Sequence, residues 1–479
     1  MEQVLTILEA IDSVIWGPFV LIPLLLGTGL WLTIRLAGVQ FRKLGPALKL
    51  AFIKRDEAPS GTSGVVAPGT EHDVSIEGDI SHYQALTTAL AATVGVGNIA
   101  GVATAIHMGG PGAVFWMWVT GLVGMASKYA EAFLAVRFRT KDAKGEMNGG
   151  PQYYLEHVTK FRGLGKSLAI AFAIFATIAS FGIGNLTQAN SVATQLHDSF
   201  GLHPALTGLV MAVATGVVLI GGVKSIGRFT SAFVPMMIIL YVGAALIILG
   251  LNYDRIPGAI ALICHDAFTG TAAVGGFAGS AFIVALQFGV ARGIFSNESG
   301  MGSAAIAAAA ARTRQPVRQG LVSMTQTFID TIIVVSMTAL VIVVTGAWKL
   351  TDEDGKGLDG SPLTAEAFTI GFPGTQGHFI VAISLVFFAF STVLGWAYYG
   401  ERCVERLLGL RAVHVYRVLF AVVIFIGSVT GLKVAWTFAD IANGLMALPN
   451  LLGLILASGL IARETREYLR RDPKLVESD

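Results

Sequence analysis

Eleven segments of the sequence are predominantly apolar over about 20 residues or more, the length at which an α-helix crosses roughly 30 Å of hydrocarbon. Only 13% of the 479 residues are charged and 54% are hydrophobic, whereas soluble chains carry about 25% charged residues. We therefore expect an all-α polytopic membrane protein. The predicted spans run approximately from residues 14 to 36, 82 to 107, 113 to 136, 167 to 198, 204 to 222, 229 to 250, 274 to 311, 317 to 346, 377 to 400, 412 to 432 and 435 to 462.

The basic residues predict the side of the membrane on which each connection lies, because Lys and Arg in short loops are retained in the cytoplasm. With the N-terminus outside, almost every Lys and Arg between spans falls in a cytoplasmic segment. The exceptions, in external segments, are Arg255, Lys349, Lys356 and Lys433. We therefore expect the N-terminus outside and the C-terminus in the cytoplasm, with residues 56–79 as a mobile cytoplasmic connection and Thr351–Gly360 as a solvated external loop.

Several classes of protein are not indicated. A net charge of +2 gives no reason to expect a nucleic-acid partner, and Cys264 and Cys403 lack the spacing of a disulfide or metal site. The N-terminal segment has no basic residue before the first span, so we expect it to belong to the fold rather than to a cleaved signal peptide. The sequence has no complete phosphate-binding loop of an ATP-driven pump and no motif of an embedded hydrolase, so we expect neither enzyme activity nor a cofactor.

Two of the predicted spans are interrupted by glycine and polar residues at membrane depth. The second contains Gly95, Gly97 and Gly101, and the seventh contains the polar run 296–299 between glycines. Each interrupted span begins a group of five, and because five is odd the two groups enter the membrane from opposite sides. This is the pattern of a five-plus-five inverted repeat with its binding site at the interrupted helices. Glycine that merely permits close helix packing is the alternative.

The repeat divides the chain into four parts. They are an extra first helix with its cytoplasmic connection (1–80), the first five-helix repeat (81–252), the second repeat (253–464) and a cytoplasmic tail (465–479).

A helix interrupted in lipid frees backbone groups, which must find partners in protein or in a wet cavity. The half-helix that starts near Gly97 and Asn98 offers N–H groups and a positive dipole end, which suit a carboxylate. The half-helix that ends near Val94 offers carbonyl oxygens, which suit sodium or an ammonium group. Together they predict a site for a zwitterionic amino acid and a cation. A channel remains an alternative, because broken helices also line pores.

Other polar residues inside the spans support this interpretation or a structural one. Ser391 and Thr392 lie one turn before Trp396; their hydroxyls can complete a sodium shell or bond back to the preceding turn. Asn185 and Gln188 can share an interior surface, or serve with Asn190 as hydrogen-bonding contacts between helices.

Arg292, Glu298, Lys128 and Glu131 are among the ionisable residues inside the predicted spans. Embedded Arg292 and Glu298 are functional candidates, and a structural ion pair or gate is favoured over direct contact with the substrate. Lys128 and Glu131, three residues apart, are expected to form a simple pair near the cytoplasmic end of the third span.

Four motifs resemble the alanine/glycine:cation symporters, a family of prokaryotic sodium–amino acid transporters. They are TVGVGNIAGVATA (93–105), NGGPQYYLE (148–156), GVARGIFSNESGMGSA (289–304) and STVLGWAYYGER (391–402). The resemblance covers nearly the whole chain. It implies a leucine-transporter-type fold with one extra helix, and sodium-coupled uptake of alanine or glycine across the cell membrane, the inner membrane in a bacterium with two. A proton-coupled carrier remains the runner-up, and an ion channel is less favoured.

The resemblance also implies residue roles. Sodium would be held by the carbonyls of Ala91 and Val94 with the hydroxyls of Ser391 and Thr392. The substrate site would be formed by Thr93, Gly95, Gly97, Asn98, Gln188, Gly293, Ile294, Phe295, Thr392 and Trp396. Within this set, N–H groups around Gly97 would receive the carboxylate, and main-chain groups of Gly293–Phe295 would receive the ammonium.

Overall fold

The computed structural model describes residues 2–53, 78–269, 278–352, 355–374, 376–430, 433–473 and 475. Nearly all of the connection that the sequence predicts to be mobile, residues 56–79, lies outside these described residues. Helices dominate the rest of the chain, as the apolar spans predict.

Twenty-one α-helices are described. They are α1 (Glu2–Ile15), α2 (Leu21–Arg35), α3 (Val39–Arg42), α4 (Leu44–Phe52), α5 (His82–Thr93), α6 (Val102–Gly109), α7 (Gly112–Arg137), α8 (Pro151–Val158), α9 (Arg162–Phe181), α10 (Thr187–Phe200), α11 (Pro204–Ile220), α12 (Gly222–Leu251), α13 (Ile256–Thr269), α14 (Ala278–Asn297), α15 (Ser303–Ala309), α16 (Pro316–Thr327), α17 (Ser336–Thr345), α18 (Gly360–Gly371), α19 (Gly377–Leu408), α20 (Leu410–Val429) and α21 (Lys433–Arg471). Strands β1 (Thr140–Lys141) and β2 (Met147–Asn148) form a small antiparallel hairpin between α7 and α8.

Each of the eleven predicted spans falls on one of these helices or on a broken pair of them. Among the described residues, six helices are long and apolar enough to cross a membrane, or seven if the bent pair around Gly95 is one span. This set of helices is therefore that of a multi-pass membrane protein. The count of eleven spans and the repeat layout stay predictions.

Three π-helical segments interrupt the spans, at Gly97–Gly101, Gly182–Leu186 and Phe328–Val335. A π-helical turn contains one residue more than an α-helical turn, which leaves a backbone carbonyl without its usual partner and often marks a functional site. The first segment follows α5, the second joins α9 to α10, and the third joins α16 to α17. The three segments supply Asn98, Asn185 and Asp330 to the interior of the bundle, where all three are buried.

Helices α13 and α18 lie in connections that the sequence analysis assigns to the outside without predicting a helix there. The hydroxyl of Thr364 in α18 donates to the carbonyl of Ile99, 2.9 Å away. The carboxylate of Asp266 in α13 accepts a hydrogen bond from the N–H of Gly112, 2.8 Å away. Both helices are therefore anchored to the spans, and α18 is bonded directly to the interrupted second span.

Basic residues that the sequence assigns to the cytoplasm meet at one end of the bundle. Arg402, near the C-terminus of α19, contacts the carboxylates of Asp142, Glu146 and Glu405. Arg139 donates to the carbonyls that follow α15. The β1–β2 hairpin is thus held against the ends of the spans by a buried charge network.

Candidate functional site

The first break lies between α5 and the π-helical segment Gly97–Gly101, and the two halves of the span are bent by 56°. The N–H of Gly95 donates to Asn98 Oδ1 at 2.9 Å, and the N–H of Asn98 donates to the carbonyl of Gly95 at 3.1 Å. This reciprocal pair replaces the helical hydrogen bonds that the break removes. The predicted interruption is confirmed at the residues where the glycines place it.

The second break lies between α14 and α15, at residues 298–302. Glu298 has a backbone φ of 55°, and Gly300 and Gly302 have φ values of 91° and 83°. Positive φ is unfavourable for a residue with a Cβ atom, so the backbone at Glu298 must be held by its surroundings. Its carboxylate accepts from the indole N–H of Trp396 at 2.8 Å and from the hydroxyl of Ser303 at 2.5 Å.

One carboxylate joins the two breaks. Asp330, in the π-helical segment Phe328–Val335, accepts from Asn98 Nδ2 at 2.7 Å, from Ser296 Oγ at 2.8 Å and from Thr331 Oγ1 at 2.9 Å. Asn98 belongs to the first break, and Ser296 directly precedes the second. Asp330 is fully buried, and three donors surround a group that can only accept when it is ionised. The arrangement ties both interrupted helices to the eighth span.

Gly95 lies in a narrow space between two other spans. A Cβ atom at this position would lie 2.3 Å from Thr392 Oγ1 and 3.3 Å from Gln188 Oε1. Gln188 Oε1 also accepts from the N–H of Val96 at 3.4 Å. Trp396 follows Thr392 by one turn of α19 and is almost fully buried. Thr392 and Gln188 are thus brought to the first break, where the sequence analysis expects them, whereas the indole of Trp396 bonds to Glu298 of the second break.

The residues of the expected sodium shell lie where α5 and α19 meet. A Cβ atom at Gly395 would lie 2.6 Å from the Cβ of Ala92, so the two helices are in almost direct backbone contact. The hydroxyls of Ser391 and Thr392 donate to the carbonyl of Phe388, at 2.8 and 3.0 Å. This is the back-bonded arrangement that the sequence leaves open. A hydroxyl that donates its proton in this way keeps its lone pairs for a cation, so both interpretations are compatible.

The second break begins at residue 298, after the residues 293–295 that were expected to bind the ammonium group. The carbonyl of Ile294 already accepts the N–H of Glu298 at 2.8 Å, because α14 continues to Asn297. A Cβ atom at Gly293 would lie 2.4 Å from Thr120 Oγ1, so Gly293 faces α7 rather than the first break. Phe295 does face that break: its Cδ1 would lie 3.1 Å from a Cβ atom at Gly97. Phe295 therefore lies against the first break, and Gly293 does not.

The pair formed by Lys128 and Glu131 is more than the simple pair expected near the cytoplasmic end. Lys128 Nζ lies 3.8 Å from Glu131 and donates to the carbonyl of Glu298 at 3.0 Å. Glu131 also accepts from the N–H of Gly302 at 3.0 Å and from Asn450 Nδ2 at 2.8 Å. The pair therefore supports the second break, and the expectation of a pair without further partners is wrong.

Arg292 and Glu298 do not form the ion pair that the sequence suggests. Both carboxylate oxygens of Glu298 are engaged by Trp396 and Ser303, whereas Arg292 lies over the ring of Phe295 at 5.7 Å. The reason is local geometry, because Arg292 lies within α14 and Glu298 lies beyond its end.

The polar residues of the fourth span divide between the two roles that the sequence leaves open. Asn185 Nδ2 donates to the carbonyl of Phe420 at 2.7 Å, and Asn190 Nδ2 to that of Thr430 at 3.1 Å. Both therefore connect this span to α20. Gln188 alone of the three faces the first break, since its side-chain oxygen accepts from Val96.

Asp330 and Gln326 are the site residues that sequence reasoning missed. Gln326 Nε2 donates to Thr93 Oγ1 at 2.8 Å and to the carbonyl of Asn297 at 3.3 Å, so it also bridges the two breaks. The available signal was Asp330 itself, a single acidic residue within the apolar eighth span. An ionisable residue at that depth is a functional candidate by default.

A cavity of about 330 Å³ is lined by residues of the first break and by Asp359–Pro362, at the end of the loop that the sequence analysis assigns to the outside. Asp359 and Pro362 lie at one side of it, and Val96 and Phe295 at the other. Arg402 and its carboxylate partners lie at the opposite end of the protein. The site is therefore approached from the end that the basic residues assign to the outside.

The chain is similar to known proteins over almost its whole length. The model of the sodium:alanine symporter family matches residues 1–478. The chain is 50% identical to the sodium/alanine symporter AgcS of Methanococcus maripaludis, over 97% of each chain. It is 35% identical to the probable sodium/glutamine symporter GlnT of Bacillus subtilis, over 98% of this chain and 92% of that protein.

Among solved structures, MhsT in complex with L-phenylalanine aligns with a TM-score of 0.59 at 16% identity. The alignment covers 81% of this chain and 93% of MhsT. At this level of identity, the similarity shows a shared fold.

Proposed function

The chain belongs to the sodium:alanine symporter family, and from this premise we propose that it carries alanine or glycine into the cell together with sodium. The family makes the protein a membrane transporter for which sodium is the coupling ion. The choice of a small amino acid rests on the surroundings of Gly95. Thr392 and Gln188 crowd this residue so closely that a large substrate side chain has little space beside it.

The first break supplies the proposed carboxylate site. The N–H groups of Gly95 and Val96 point to side-chain oxygens of Asn98 and Gln188, which are acceptors of the kind that a substrate carboxylate would be. The helix that follows Gly97 adds its positive dipole end. In this proposal, the substrate carboxylate takes the place of one of these side-chain acceptors.

The second break supplies carbonyl oxygens for the substrate ammonium. Because α14 continues to Asn297, we assign this role to main-chain groups close to Phe295 and Ser296 rather than to Gly293. Ser296 is bonded to Asp330, and Asp330 is bonded to Asn98. Binding at either break therefore affects the other break through the carboxylate of Asp330.

Sodium is proposed to bind between α5 and α19, at the carbonyls of Ala91 and Val94 and the hydroxyls of Ser391 and Thr392. Sodium prefers oxygen ligands, and the close approach of Gly395 to Ala92 supports this place for the ion. One sodium ion moving through about 100 mV supplies roughly 2.3 kcal/mol, and a tenfold gradient adds about 1.4 kcal/mol. At one-to-one coupling the total supports roughly 400-fold accumulation of substrate.

The proposal also includes the arrangement in the membrane. We place the protein in the plasma membrane of a prokaryote with the N-terminus outside, and the two five-helix groups as inverted repeats that move against each other. The position of one break at the start of each group supports this layout. The buried charge network of Arg402 at one end, with a cavity on the other side of the site, is the arrangement expected of an outward-oriented carrier.

Uptake by purified protein in proteoliposomes tests the function directly. Sodium, potassium and proton gradients are imposed separately, with labelled alanine, glycine and glutamine as substrates. We expect concentrative uptake of alanine or glycine that requires sodium. Uptake driven by protons without sodium would favour the proton-coupled alternative, and a preference for glutamine would contradict the small-substrate assignment. Counterflow of labelled alanine separates a carrier from a channel, because a channel shows no counterflow.

A further inference from the structure

Three charged side chains face one another across a second cavity, beside the one that leads to the first break. This cavity has a volume of about 170 Å³ and is lined by Asp12 of α1, Arg292 of α14 and Asp440 of α21. Arg292 and Phe295 line both cavities and separate them. Because the ring of Phe295 lies against Gly97, the second cavity is one side chain away from the proposed substrate site.

The opposite charges surround the cavity without pairing. In the described part of the chain, Arg292 forms no ion pair with Asp12 or Asp440. Its guanidinium carbon lies 5.7 Å from the centre of the Phe295 ring. Arg292 Nε and Asp12 Oδ1 are buried atoms with no hydrogen-bond partner. A partly buried charge without a protein partner has lost part of its hydration and has gained no hydrogen bond in return. The arrangement is therefore one that an occupant of matching charge would stabilise.

The positions of the charges define the chemistry of that occupant. A guanidinium forms bidentate hydrogen bonds with a carboxylate, and carboxylates accept hydrogen bonds from an ammonium group. Arg292 is on one helix and the two carboxylates are on two others, so the complementary molecule carries a carboxylate and an ammonium together. A sodium ion alone would be repelled by Arg292. An uncharged solute would leave all three charges unpaired.

We propose that this cavity is an outer binding site for a zwitterionic α-amino acid. The substrate occupies it before it passes Phe295 on the way to the central site. The proposal rests on the proposed function, because the molecule bound here is the one that the protein carries. The apolar rings of Trp16 and Phe288, which also line the cavity, accommodate a small side chain. The extra first helix thereby gains a role, since it supplies Asp12.

The titration of Asp12 agrees with this assignment. Burial and the nearby Asp440 raise the pKa of Asp12 to about 6, while Arg292 acts in the opposite direction. The carboxylate is therefore ionised at neutral pH and becomes protonated as the external pH falls below about 6. Asp440 on α21 and Arg292 on α14 are the charged groups that act on it. An uncharged Asp12 cannot attract the ammonium, so the outer site should weaken in acid.

Protection of a cysteine tests occupancy of the cavity without requiring transport. Ser13 lines the cavity and is exposed, so we would introduce Ser13→Cys in a Cys264→Ser protein and measure modification by an impermeant maleimide. The central site is disabled by adding Gly95→Leu. We expect external alanine to slow the modification in this protein, and this protection to be lost when Asp12→Asn or Asp440→Asn is added.

Three outcomes would overturn the proposal. Protection that disappears with Gly95→Leu alone would mean that alanine acts only through the central site. Protection that survives both Asp12→Asn and Asp440→Asn would place the binding elsewhere. Protection by sodium in the absence of an amino acid would make the cavity a cation site. Failure of the proposed function is recognised separately, because wild-type protein would then show no sodium-dependent alanine uptake.

A kinetic measurement covers the case in which the Gly95→Leu protein does not fold. In the otherwise wild-type carrier, Asp12→Asn should raise the KM for alanine uptake about tenfold, the loss expected for one charge-assisted hydrogen bond, and leave the maximal rate unchanged. Glu9→Gln, on the exposed side of the same helix, is the matched control and should leave KM unchanged. We expect the KM of the wild-type protein to rise below pH 6, and we expect no such rise in Asp12→Asn. An unchanged KM in that variant would contradict the outer site.

Discussion

Asn98 and Asp330, 232 residues apart in the sequence, are joined by a hydrogen bond of 2.7 Å between the amide nitrogen of one and the carboxylate of the other. The side-chain oxygen of Asn98 accepts a hydrogen bond from the N–H of Gly95 in the first break. The second carboxylate oxygen of Asp330 accepts from Ser296 beside the second break. This chain of contacts makes Asp330 the residue through which the two interrupted helices act on each other.

Replacing Asp330 with Asn should therefore weaken substrate binding and sodium binding together. The substitution keeps the shape but leaves one oxygen for three donors, and hydrogen bonds to a charged group contribute about 1.5–3 kcal/mol. We expect the affinity for alanine to fall by about 10- to 100-fold in equilibrium binding assays. Glu366→Gln, on the exposed face of α18, is the control and should bind as wild type does. Unchanged affinities in Asp330→Asn would rule out the bridging role.

The hydroxyl of Thr392 should matter more than its methyl group. Thr392→Val keeps the volume and removes the proposed sodium ligand, so sodium activation should shift to higher concentrations and concentrative uptake should be largely lost. Alanine affinity should fall with it, because the two ligands are linked reciprocally. Thr392→Ser keeps the hydroxyl and should retain sodium dependence. If both variants behave alike, the hydroxyl bonds only to Phe388 and does not bind sodium.

Glycine substitutions along the first break should have graded effects. A methyl group at Gly95 would collide with Thr392, and a larger side chain at Gly97 would collide with Phe295. No atom lies within 4 Å of a Cβ at Gly101, outside its own helix backbone. We expect Gly95→Ala and Gly97→Leu to abolish alanine binding in protein that remains monodisperse in detergent, whereas Gly101→Ala should bind normally. Equal binding by all three would show that the backbone at Gly95 and Gly97 does not contact the substrate.

The cytoplasmic charge network should contribute strongly to stability. Arg402 is 2% exposed and contacts three carboxylates, so Arg402→Gln leaves buried negative charges facing one another. Removing one partner of a buried pair costs about 3–5 kcal/mol. Arg406, which pairs with Glu156 at a half-exposed position, provides the control, because such pairs contribute about 1 kcal/mol or less. Thermal denaturation in detergent should show a much larger decrease for Arg402→Gln than for Arg406→Gln.

The predicted orientation can be tested by labelling intact cells. Lys356 lies in the loop assigned to the outside, and Lys144 lies in the β1–β2 hairpin assigned to the cytoplasm; both are exposed. In a Cys264→Ser background, which removes an exposed native thiol, Lys356→Cys should react with an impermeant maleimide and Lys144→Cys should react only after permeabilisation. The reverse pattern would invert the topology.

The sequence by itself determined the helical membrane class and the positions of both breaks. Each span must satisfy its own backbone hydrogen bonds in lipid, so apolar length and interruption by glycine are local properties that can be recognised without knowing the neighbouring helices. For the same reason Gly95 and Gly97 could be named in advance as candidates, while the family resemblance supplied the pocket roles of Gln188, Thr392 and Trp396. The exact end of α14 could not, because Glu298 continues the helical hydrogen bonding and only then turns to positive φ.

Only the tertiary structure decided the partners of the buried polar groups. Asp330 bridges the breaks, Lys128 and Glu131 support the second break, and Arg292 faces Asp12 rather than Glu298. These contacts join residues that lie on different spans, and the direction of each side chain depends on how the helices are rotated against one another. A buried polar group takes the partner that packing brings within about 3 Å, and sequence spacing carries no information about that choice.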